Sequence, residues 1–241
     1  MKYEDVVKGI FVKRENRFIA KVLMNDIEEI VHVKNTGRCK ELLIPGVEVY
    51  LESATKLERK TKYSLITVKK GDRLINIDSQ VPNKVVEDAL KEGKLCLPGI
   101  SGEITFLKRE QTYGASRFDL YFETKEGKGF IEVKGVTLEN QGVARFPDAP
   151  TQRGEKHVRE LVKAREEGYL AYVVFLIQMG GVTKFEPNYD SDMKFAKALK
   201  QAVEKGVVVV AVDSYIGCDR IQIGDFIPVD LEEPRLGPRR N

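Results

Sequence analysis

SRFDLYFETKEGKGFIEVKGVTL, residues 116–138, is the stretch that decides the fold of this 241-residue chain. Apolar and polar side chains alternate over residues 118–122 and again over residues 130–136, and residues 125–129 between them are polar and contain two glycines. Alternation with a period of two on both sides of a glycine-containing turn is typical of a β-hairpin. We therefore predict two neighbouring antiparallel strands.

The same alternation predicts which side chains share a face. Glu132 and Lys134 should leave their strand on the side opposite its aliphatic residues. Asp119 should leave its own strand on the side opposite the apolar residues, which are Phe118, Leu120 and Phe122. The two carboxylates and the ammonium group are therefore expected to converge.

Two convergent carboxylates suit a hard divalent cation, because Mg²⁺ is held by one or two carboxylates and keeps several waters. An ammonium group such as that of Lys134 can orient the attacking water and stabilise charge on a phosphoryl transition state. Asp119, Glu132 and Lys134 thus form a candidate phosphodiesterase centre that uses Mg²⁺ or Mn²⁺. The alternative is a cross-strand Glu/Lys pair on a solvated sheet face, which would contribute well under ~1 kcal/mol.

Composition excludes several classes of protein. The formal net charge of +3 is too small to identify a polyanion partner by itself. The three cysteines are far apart and have no CxxC spacing, which argues against a disulfide framework or a zinc site and favours a reducing cytoplasm. The longest aliphatic run, residues 207–212, is too short to span a bilayer, so we expect a soluble cytoplasmic protein with no membrane contact.

The first third of the chain predicts a small β-barrel. Short strands are indicated over residues 10–15, 18–24, 28–33, 47–53, 64–70 and 74–78. Five or so such strands suit an OB-type barrel, so residues 1–81 are interpreted as a nucleic-acid-binding domain. A loop at residues 56–63 carries cations and an aromatic side chain that suit phosphate contact and base stacking; they are Arg59, Lys60, Lys62 and Tyr63. A solvated hairpin tip explains the same loop.

Residues 82–241 predict an α/β domain. A helix over residues 83–92 is followed by strands over 103–112, 116–124 and 128–138, a helix over 151–168, a strand over 170–177, a helix over 191–206 and a strand over 207–213. The strands at 170–177 and 207–213 are apolar without alternation, which indicates central strands covered by helices on both sides.

Several longer blocks carry a family resemblance. They are Asn35-Thr36-Gly37-Arg38, Leu42-Leu43, Pro45-Gly46, Tyr113-Gly114, Ser116-Arg117-Phe118-Asp119, residues 132–138, residues 146–149, Thr151, Arg153-Gly154 and Lys156-His157. These blocks resemble the SfsA family, the sugar fermentation stimulation proteins. The order of a helix, a meander with Asp, a Glu-x-Lys strand and a crossover helix also resembles the PD-(D/E)XK nuclease core.

The resemblance implies an N-terminal OB-like barrel and a C-terminal nuclease-like mixed sheet flanked by helices. It also implies largely sequence-independent DNA binding and a regulatory role in maltose metabolism. Carried onto this chain, the nuclease motif makes Asp119 and Glu132 metal ligands, the backbone carbonyl of Val133 a third ligand, and Lys134 the catalytic lysine. One departure is Val33-Lys34, where the family often has Cys-Pro, which puts a specific role for that pair in doubt.

The remaining nucleic-acid-binding candidates each have a structural alternative. His157 shares a predicted helix face with Arg153 and Glu160 and could contact phosphate, or it could be a surface histidine balanced between those two residues. Arg117 could neutralise phosphate or Asp119 itself. Arg38 could meet phosphate from a barrel loop that turns on Gly37, and the turn alone explains the glycine.

Three functions follow from these expectations. The first is a DNA-binding deoxyribonuclease that depends on Mg²⁺ or Mn²⁺. The second is a non-catalytic DNA-binding regulator of sugar metabolism, with steep salt dependence and little base preference. An RNA-binding module is the third, because stacking platforms accept either sugar. A homodimer is left open.

Overall fold

The computed structural model describes residues 1–35, 37–54 and 60–233. Its first domain contains six strands: β1 (Val6–Arg14), β2 (Ile19–Met24), β3 (Ile27–Val33), β4 (Glu48–Ser53), β5 (Tyr63–Lys70) and β6 (Arg73–Asn76). They are ordered β3-β2-β1-β4-β5-β6, and β3 also pairs with β5, which closes β1 to β5 into a barrel. The predicted OB-type barrel is confirmed.

The second domain is built on a mixed six-stranded sheet. Its elements are α1 (Pro82–Lys91), β7 (Phe106–Tyr113), β8 (Ser116–Glu123), β9 (Lys128–Val136), β10 (Leu138–Asn140), β11 (Val143–Phe146), α2 (Gln152–Glu166), β12 (Leu170–Ile177), β13 (Lys184–Pro187), α3 (Met193–Glu204), β14 (Val208–Gly217) and β15 (Arg220–Ile227). The main sheet has the order β15-β14-β12-β9-β8-β7. The central strands β9, β12 and β14 are parallel, and the outer pairs are antiparallel. The predicted mixed sheet with helices is confirmed.

Side chains of the central strand β12 alternate between two cores. Val173 and Phe175 belong to the core that includes residues of α2 and α3, whereas Val174 and Leu176 belong to the core that includes residues of α1. Every residue of β12 after Leu170 is buried, as expected for a strand covered on both faces. The first core is called the α2 side of the sheet and the second the α1 side.

Several strand predictions were incomplete. The strand predicted over residues 128–138 ends at Val136, and a separate small sheet of β10, β11 and β13 follows the main one. The strands β10, β11 and β13 have three or four residues each, too few for a periodic pattern to be recognised. The strand β15 was also missed, because its sequence RIQIGDFI includes a glycine and several exposed residues.

The two domains pack directly against each other. The buried Gln178, which follows β12, donates from Nε2 to Asn76 Oδ1 and to the carbonyl of Asp78, both at 3.0 Å. Its own carbonyl accepts a hydrogen bond from the Asn76 backbone at 2.9 Å. The predicted boundary after residue 81 falls just before α1, which begins at Pro82. Among the helices of the described ranges, none is long and apolar enough to cross a membrane.

Candidate metal and nucleic-acid site

The strands β8 and β9 form the predicted hairpin, and Asp119 lies where their pairing ends. Ladder pairs run from Glu123↔Lys128 to Leu120↔Ile131 and do not continue to Asp119. Instead, the backbone N–H of Val133 donates to Asp119 Oδ2 at 2.8 Å. Asn83 Nδ2, from the first turn of α1, donates to Asp119 Oδ1 at 2.7 Å. The carboxylate therefore replaces a ladder bond and is held from two directions.

This interruption changes the faces of β8. Phe118 packs on the α2 side with Phe130, whereas Leu120 and Phe122 pack on the α1 side. The prediction that these three apolar residues share one face is therefore wrong. Strict alternation requires continuous pairing, and β8 has no ladder partner at Asp119 on either β9 or β7.

Glu132 is buried at the centre of the sheet, with 1% of its surface exposed. Its Oε1 accepts a hydrogen bond from Lys134 Nζ at 2.5 Å and lies 2.6 Å from His157 Nδ1. Its Oε2 is buried and has no hydrogen-bond partner. Lys134 projects toward the same α2 side, as the alternation of β9 predicts.

Burial rules out the solvated-face alternative for this pair. A Glu/Lys pair on an open sheet face would be exposed to water, whereas only 2% of the Glu132 side chain and 17% of the Lys134 side chain are exposed. A buried carboxylate oxygen without a partner carries a desolvation cost on the order of a few kcal/mol. Native proteins keep such groups for a reason, and a bound cation is one.

The two carboxylates have opposite pKa shifts. Burial raises the pKa of Asp119, and the nearby charge of Glu132 raises it further. Burial alone would also raise the pKa of Glu132, but hydrogen bonds from His157 and Lys134 outweigh it and hold the pKa below its ordinary value. Glu132 is therefore stabilised as the anion, and Asp119 is destabilised by it. A cation bound between them would relieve that repulsion.

The donor set fits a hard divalent cation. In the part of the chain that the structure describes, no group of three or more His, Cys, Asp or Glu side chains could hold a metal ion. A cation here would thus depend on the two carboxylates, a backbone carbonyl and water. Mg²⁺ and Mn²⁺ are commonly bound by such oxygen ligands. The unpartnered Glu132 Oε2 is one oxygen atom available as a metal ligand. The backbone carbonyl of Val133 remains a predicted third ligand.

His157 lies in this cluster and not on the surface. Its ring is 5% exposed, and it contacts Glu132 through Nδ1. Arg153 Nε approaches the other ring nitrogen, Nε2, at 3.5 Å and is itself exposed. Glu160 pairs with Lys163 at 2.8 Å and forms no bond with the ring. The surface-histidine alternative is therefore wrong, and α2 brings His157 to the carboxylates. Contact of Arg153 or His157 with nucleic acid stays a prediction.

Arg117 points elsewhere. It forms an exposed ion pair with Glu110 of β7 at 3.4 Å, so the alternative in which it neutralises Asp119 is wrong. Glu87 of α1, another nearby acidic residue, pairs with Lys91 at 2.6 Å. Neither glutamate joins the Asp119–Glu132 cluster. Contact of Arg117 with phosphate stays a prediction.

The cationic loop before β5 lies apart from the cluster. Arg59 is outside the described residues. Lys60 and Lys62 are exposed, and within the described ranges neither side chain forms a hydrogen bond or an ion pair; the Lys62 backbone carbonyl accepts the Ala54 N–H at 2.7 Å. Tyr63 is half-buried and packs against the hydrophobic core. No hydrogen bond or ion pair links the described residues of this loop to Glu132 or Asp119.

The barrel loop after β3 meets the second domain. Asn35 is buried, donates to the Ile77 carbonyl at 2.9 Å and accepts the Gly37 backbone N–H at 2.7 Å. The Gly37 to Asn35 hydrogen bond has the spacing of an Asx turn, in agreement with the predicted turn, but Gly37 has no left-handed φ and the turn alone does not require a glycine. A Cβ at Gly37 would lie 2.8 Å from Asp148 Oδ2, so the Asp148 side chain would have to shift to admit one. Lys34 is paired with Glu52 at 2.7 Å.

Sequence reasoning missed Asn83 as part of the cluster. An Asn directly after a Pro at the start of a helix indicates a helix terminus, and no local pattern connects it to an Asp thirty-six residues later. Only the packing of α1 on the sheet reveals the contact.

Comparisons with known proteins agree with this architecture. Residues 12–77 match the family model described as the SfsA N-terminal OB domain, and residues 80–219 match that of the sugar fermentation stimulation protein RE domain. Sugar fermentation stimulation protein homologs from Alkaliphilus oremlandii and Clostridium beijerinckii are 55% and 54% identical to this chain. Those alignments cover 95% and 96% of this chain and 99% and 100% of the relatives.

A solved structure is similar over nearly the whole chain. It is that of Pyrococcus furiosus SfsA in complex with Ca²⁺, with a TM-score of 0.84 and 32% sequence identity. The match covers 95% of this chain and 98% of that one. Both domains are included in these matches, and the chain belongs to the sugar fermentation stimulation protein (SfsA) family.

Proposed function

We propose that this protein is a nuclease that hydrolyses phosphodiester bonds of DNA at the cluster of Asp119, Glu132 and Lys134 and depends on Mg²⁺ or Mn²⁺. The observation that carries the proposal is the buried Glu132, whose Oε2 has no partner while its Oε1 is held by Lys134 and His157. In a purely structural ion pair, both carboxylate oxygens would be expected to have hydrogen-bond partners.

Each side chain has a role in this proposal. Asp119, Glu132 and the Val133 carbonyl hold the cation, which when bound would neutralise charge on the phosphate and lower the pKa of a bound water. Lys134 Nζ, partly exposed beside Glu132, orients the attacking water and stabilises negative charge on the phosphoryl oxygens. Asn83 and His157 fix the carboxylates from opposite helices.

The relative from P. furiosus supports the cation. Its structure is described as a complex with Ca²⁺, a hard cation that takes oxygen ligands. This chain has a similar fold, and its unpartnered Glu132 Oε2, near the point where the pairing of β8 and β9 ends, is suited to a divalent ion. We extend to this chain only the class of ion, a hard divalent cation.

A second function is a DNA-binding regulator without catalysis. Arg38 and Lys40 on the barrel favour it, because both are exposed and neither side chain has a partner among the described residues. Phosphate contacts alone give strong, salt-dependent binding. This alternative uses the same fold and requires no cation.

Cleavage assays decide between the two functions. Wild-type protein and Lys134→Ala are incubated with supercoiled plasmid and with single-stranded DNA in Mg²⁺, in Mn²⁺ and in chelator. The nuclease requires metal-dependent cleavage by wild type and a loss on the order of a hundredfold or more in Lys134→Ala. Lys128→Ala removes an exposed lysine from the far end of the same strand and is the matched control.

No cleavage by wild type under any of these metal conditions would exclude the nuclease. Binding that persists in chelator and in Lys134→Ala would then support the regulator. Competition between DNA and RNA oligonucleotides of matched sequence tests the preference for DNA.

A further inference from the structure

Arg14, the last residue of β1, joins two loops of the barrel. Its guanidinium donates five hydrogen bonds of 2.6 to 3.2 Å, all to backbone carbonyls. Those in the β1–β2 turn belong to Asn16 and Arg17, and those in the loop after β3 belong to Asn35, Gly37 and Arg38. A guanidinium group that spends its N–H donors on backbone carbonyls in this way cross-links the segments that carry them. Arg14 thus fixes the relative position of the two loops.

The joined loops line an open cationic pocket of about 350 Å³. Its lining carries three further cations, Arg17, Arg38 and Lys40, and all three are exposed. Across the described residues, none of their side chains has a hydrogen bond or an ion pair, not even with the neighbouring Glu41 or the nearby Asp148. The pocket therefore concentrates positive charge that the protein itself does not neutralise.

Phosphate is the ligand class that this charge suits best. Two guanidinium groups present planar pairs of N–H donors that match phosphate oxygens, and a lysine adds a point charge. The hydrogen bonds of Arg14 fix the loops that carry these side chains. Less backbone freedom is then lost on binding, which lowers its entropic cost. The pocket is positioned on a barrel surface of the kind that binds nucleic-acid strands in OB folds.

The pocket and the strand β9 both border a cavity at the domain junction. Gly37 lines both this pocket and a second cavity of about 210 Å³ at the junction of the two domains. Gly135 and Val136, the residues that follow Lys134 in β9, line that second cavity. The cationic pocket and the strand that carries Glu132 and Lys134 therefore meet at one cavity.

The structure assigns the pocket of Arg17, Arg38 and Lys40 as a phosphate-binding subsite for the sugar-phosphate backbone of a strand that crosses the domain junction to Glu132. The assignment rests on the proposed function for its substrate class. It adds a fixed grip on the strand, supplied by the barrel, at a distance from the phosphodiester that is cleaved. Arg14 takes part only by holding the loops.

Binding measured without catalysis tests this subsite. Fluorescence anisotropy follows a labelled single-stranded dodecathymidylate in chelator over a range of NaCl concentrations. Arg17→Ala/Arg38→Ala should weaken binding on the order of tenfold at low salt and reduce the slope of log affinity against log salt by about 1.4, since each lost single-strand phosphate contact removes about 0.7.

Lys197→Ala/Lys205→Ala is the matched control, because it removes two exposed lysines of the α3 region and changes net charge equally. The control should keep the wild-type slope. If both double variants lose the same affinity and slope, the binding reflects overall charge and the subsite does not exist.

A competition experiment separates a strand from a free anion. Inorganic phosphate is titrated against the bound oligonucleotide at constant ionic strength. The subsite for a strand predicts no displacement at low millimolar phosphate, and displacement that disappears in Arg17→Ala/Arg38→Ala would assign the pocket to a free anion instead. The chelator keeps this result independent of cleavage: loss of the pocket effect leaves the nuclease proposal standing, and absence of cleavage leaves the binding result standing.

Discussion

At the scale of single residues, the position of His157 bears on whether this side chain orients Glu132 or contacts phosphate. The sequence left open a phosphate contact and a surface histidine, whereas the structure places its Nδ1 against Glu132 Oε1 at 2.6 Å, in a position that is 5% exposed. A ring so buried is better suited to orient a carboxylate than to meet a strand. Groups that hydrogen-bond a metal ligand fix its orientation, and their loss typically lowers metal affinity.

His157→Ala should therefore lower Ca²⁺ affinity by about tenfold or more. Isothermal titration calorimetry with Ca²⁺ measures this, and anisotropy in chelator measures DNA binding, which should stay at the wild-type value. Arg153→Ala is the contrasting variant, because this exposed arginine is a predicted phosphate contact. It should weaken DNA binding in chelator and leave Ca²⁺ affinity unchanged. The reverse pattern would return His157 to the phosphate-binding surface.

How far single residues could be predicted depended on how local their contacts are. The positions of Glu132 and Lys134 follow from a period of two within one strand, and their predicted common face is observed. The Asp119 contact with Asn83 depends on the packing of a helix on a sheet, which no local pattern encodes. The shared face of Phe118 and Leu120 was wrong because pairing stops between them.

At the scale of elements, α2 carries His157 to the cluster, and its first turn is fixed by a cap. Thr151 is the N-cap residue and accepts the Gly154 backbone N–H at 3.1 Å through its side chain. The backbone N–H of Thr151 in turn donates to Asp192, the N-cap residue of α3, at 2.8 Å. A hydrogen bond between their N-cap residues therefore links the first turns of α2 and α3.

Thr151→Ala should lower the free energy of unfolding by about 1 kcal/mol, because the helix start loses its side-chain acceptor. For a chain of this size, that corresponds to a decrease in Tm of about 2 to 4 °C. Thr151→Ser keeps the hydroxyl and should stay near wild type. Differential scanning calorimetry compares the three proteins, and an equal loss in both variants would assign the effect to the methyl group, since serine lacks it.

Elements were predictable where they were long and periodic. The strand β12 was predicted with the observed bounds, Leu170–Ile177, because its apolar run is bounded and buried on both faces. The helix α2 was recognised to within a few residues at each end. The strands β10, β11 and β13 pair only through contacts distant in sequence, so their short segments carry no signal of their own.

At the scale of the whole molecule, the domain junction determines whether the barrel and the carboxylate cluster act on one strand. Each of the two hydrophobic cores contains residues of both domains, for example Phe11 with Phe175 and Ile66 with Val174. Between them, the Gln178 amide is bonded to Asn76 and to the Asp78 carbonyl, both of which are buried. A continuous interior of this kind predicts that the domains unfold together.

Gln178→Ala should expose this coupling, because it leaves Asn76 Oδ1 and the Asp78 carbonyl without their shared buried donor. The expected cost is about 2 kcal/mol, or a decrease in Tm of about 5 °C, within a single calorimetric transition. Gln201→Ala, an exposed glutamine on α3, is the matched control and should change Tm by less than about 1 °C. Two separate transitions in either the wild type or Gln178→Ala would show that the barrel and the second domain are thermodynamically independent. In that case the junction would be too weak to fix the position of the barrel pocket relative to Glu132, which would contradict the proposal that one strand contacts both.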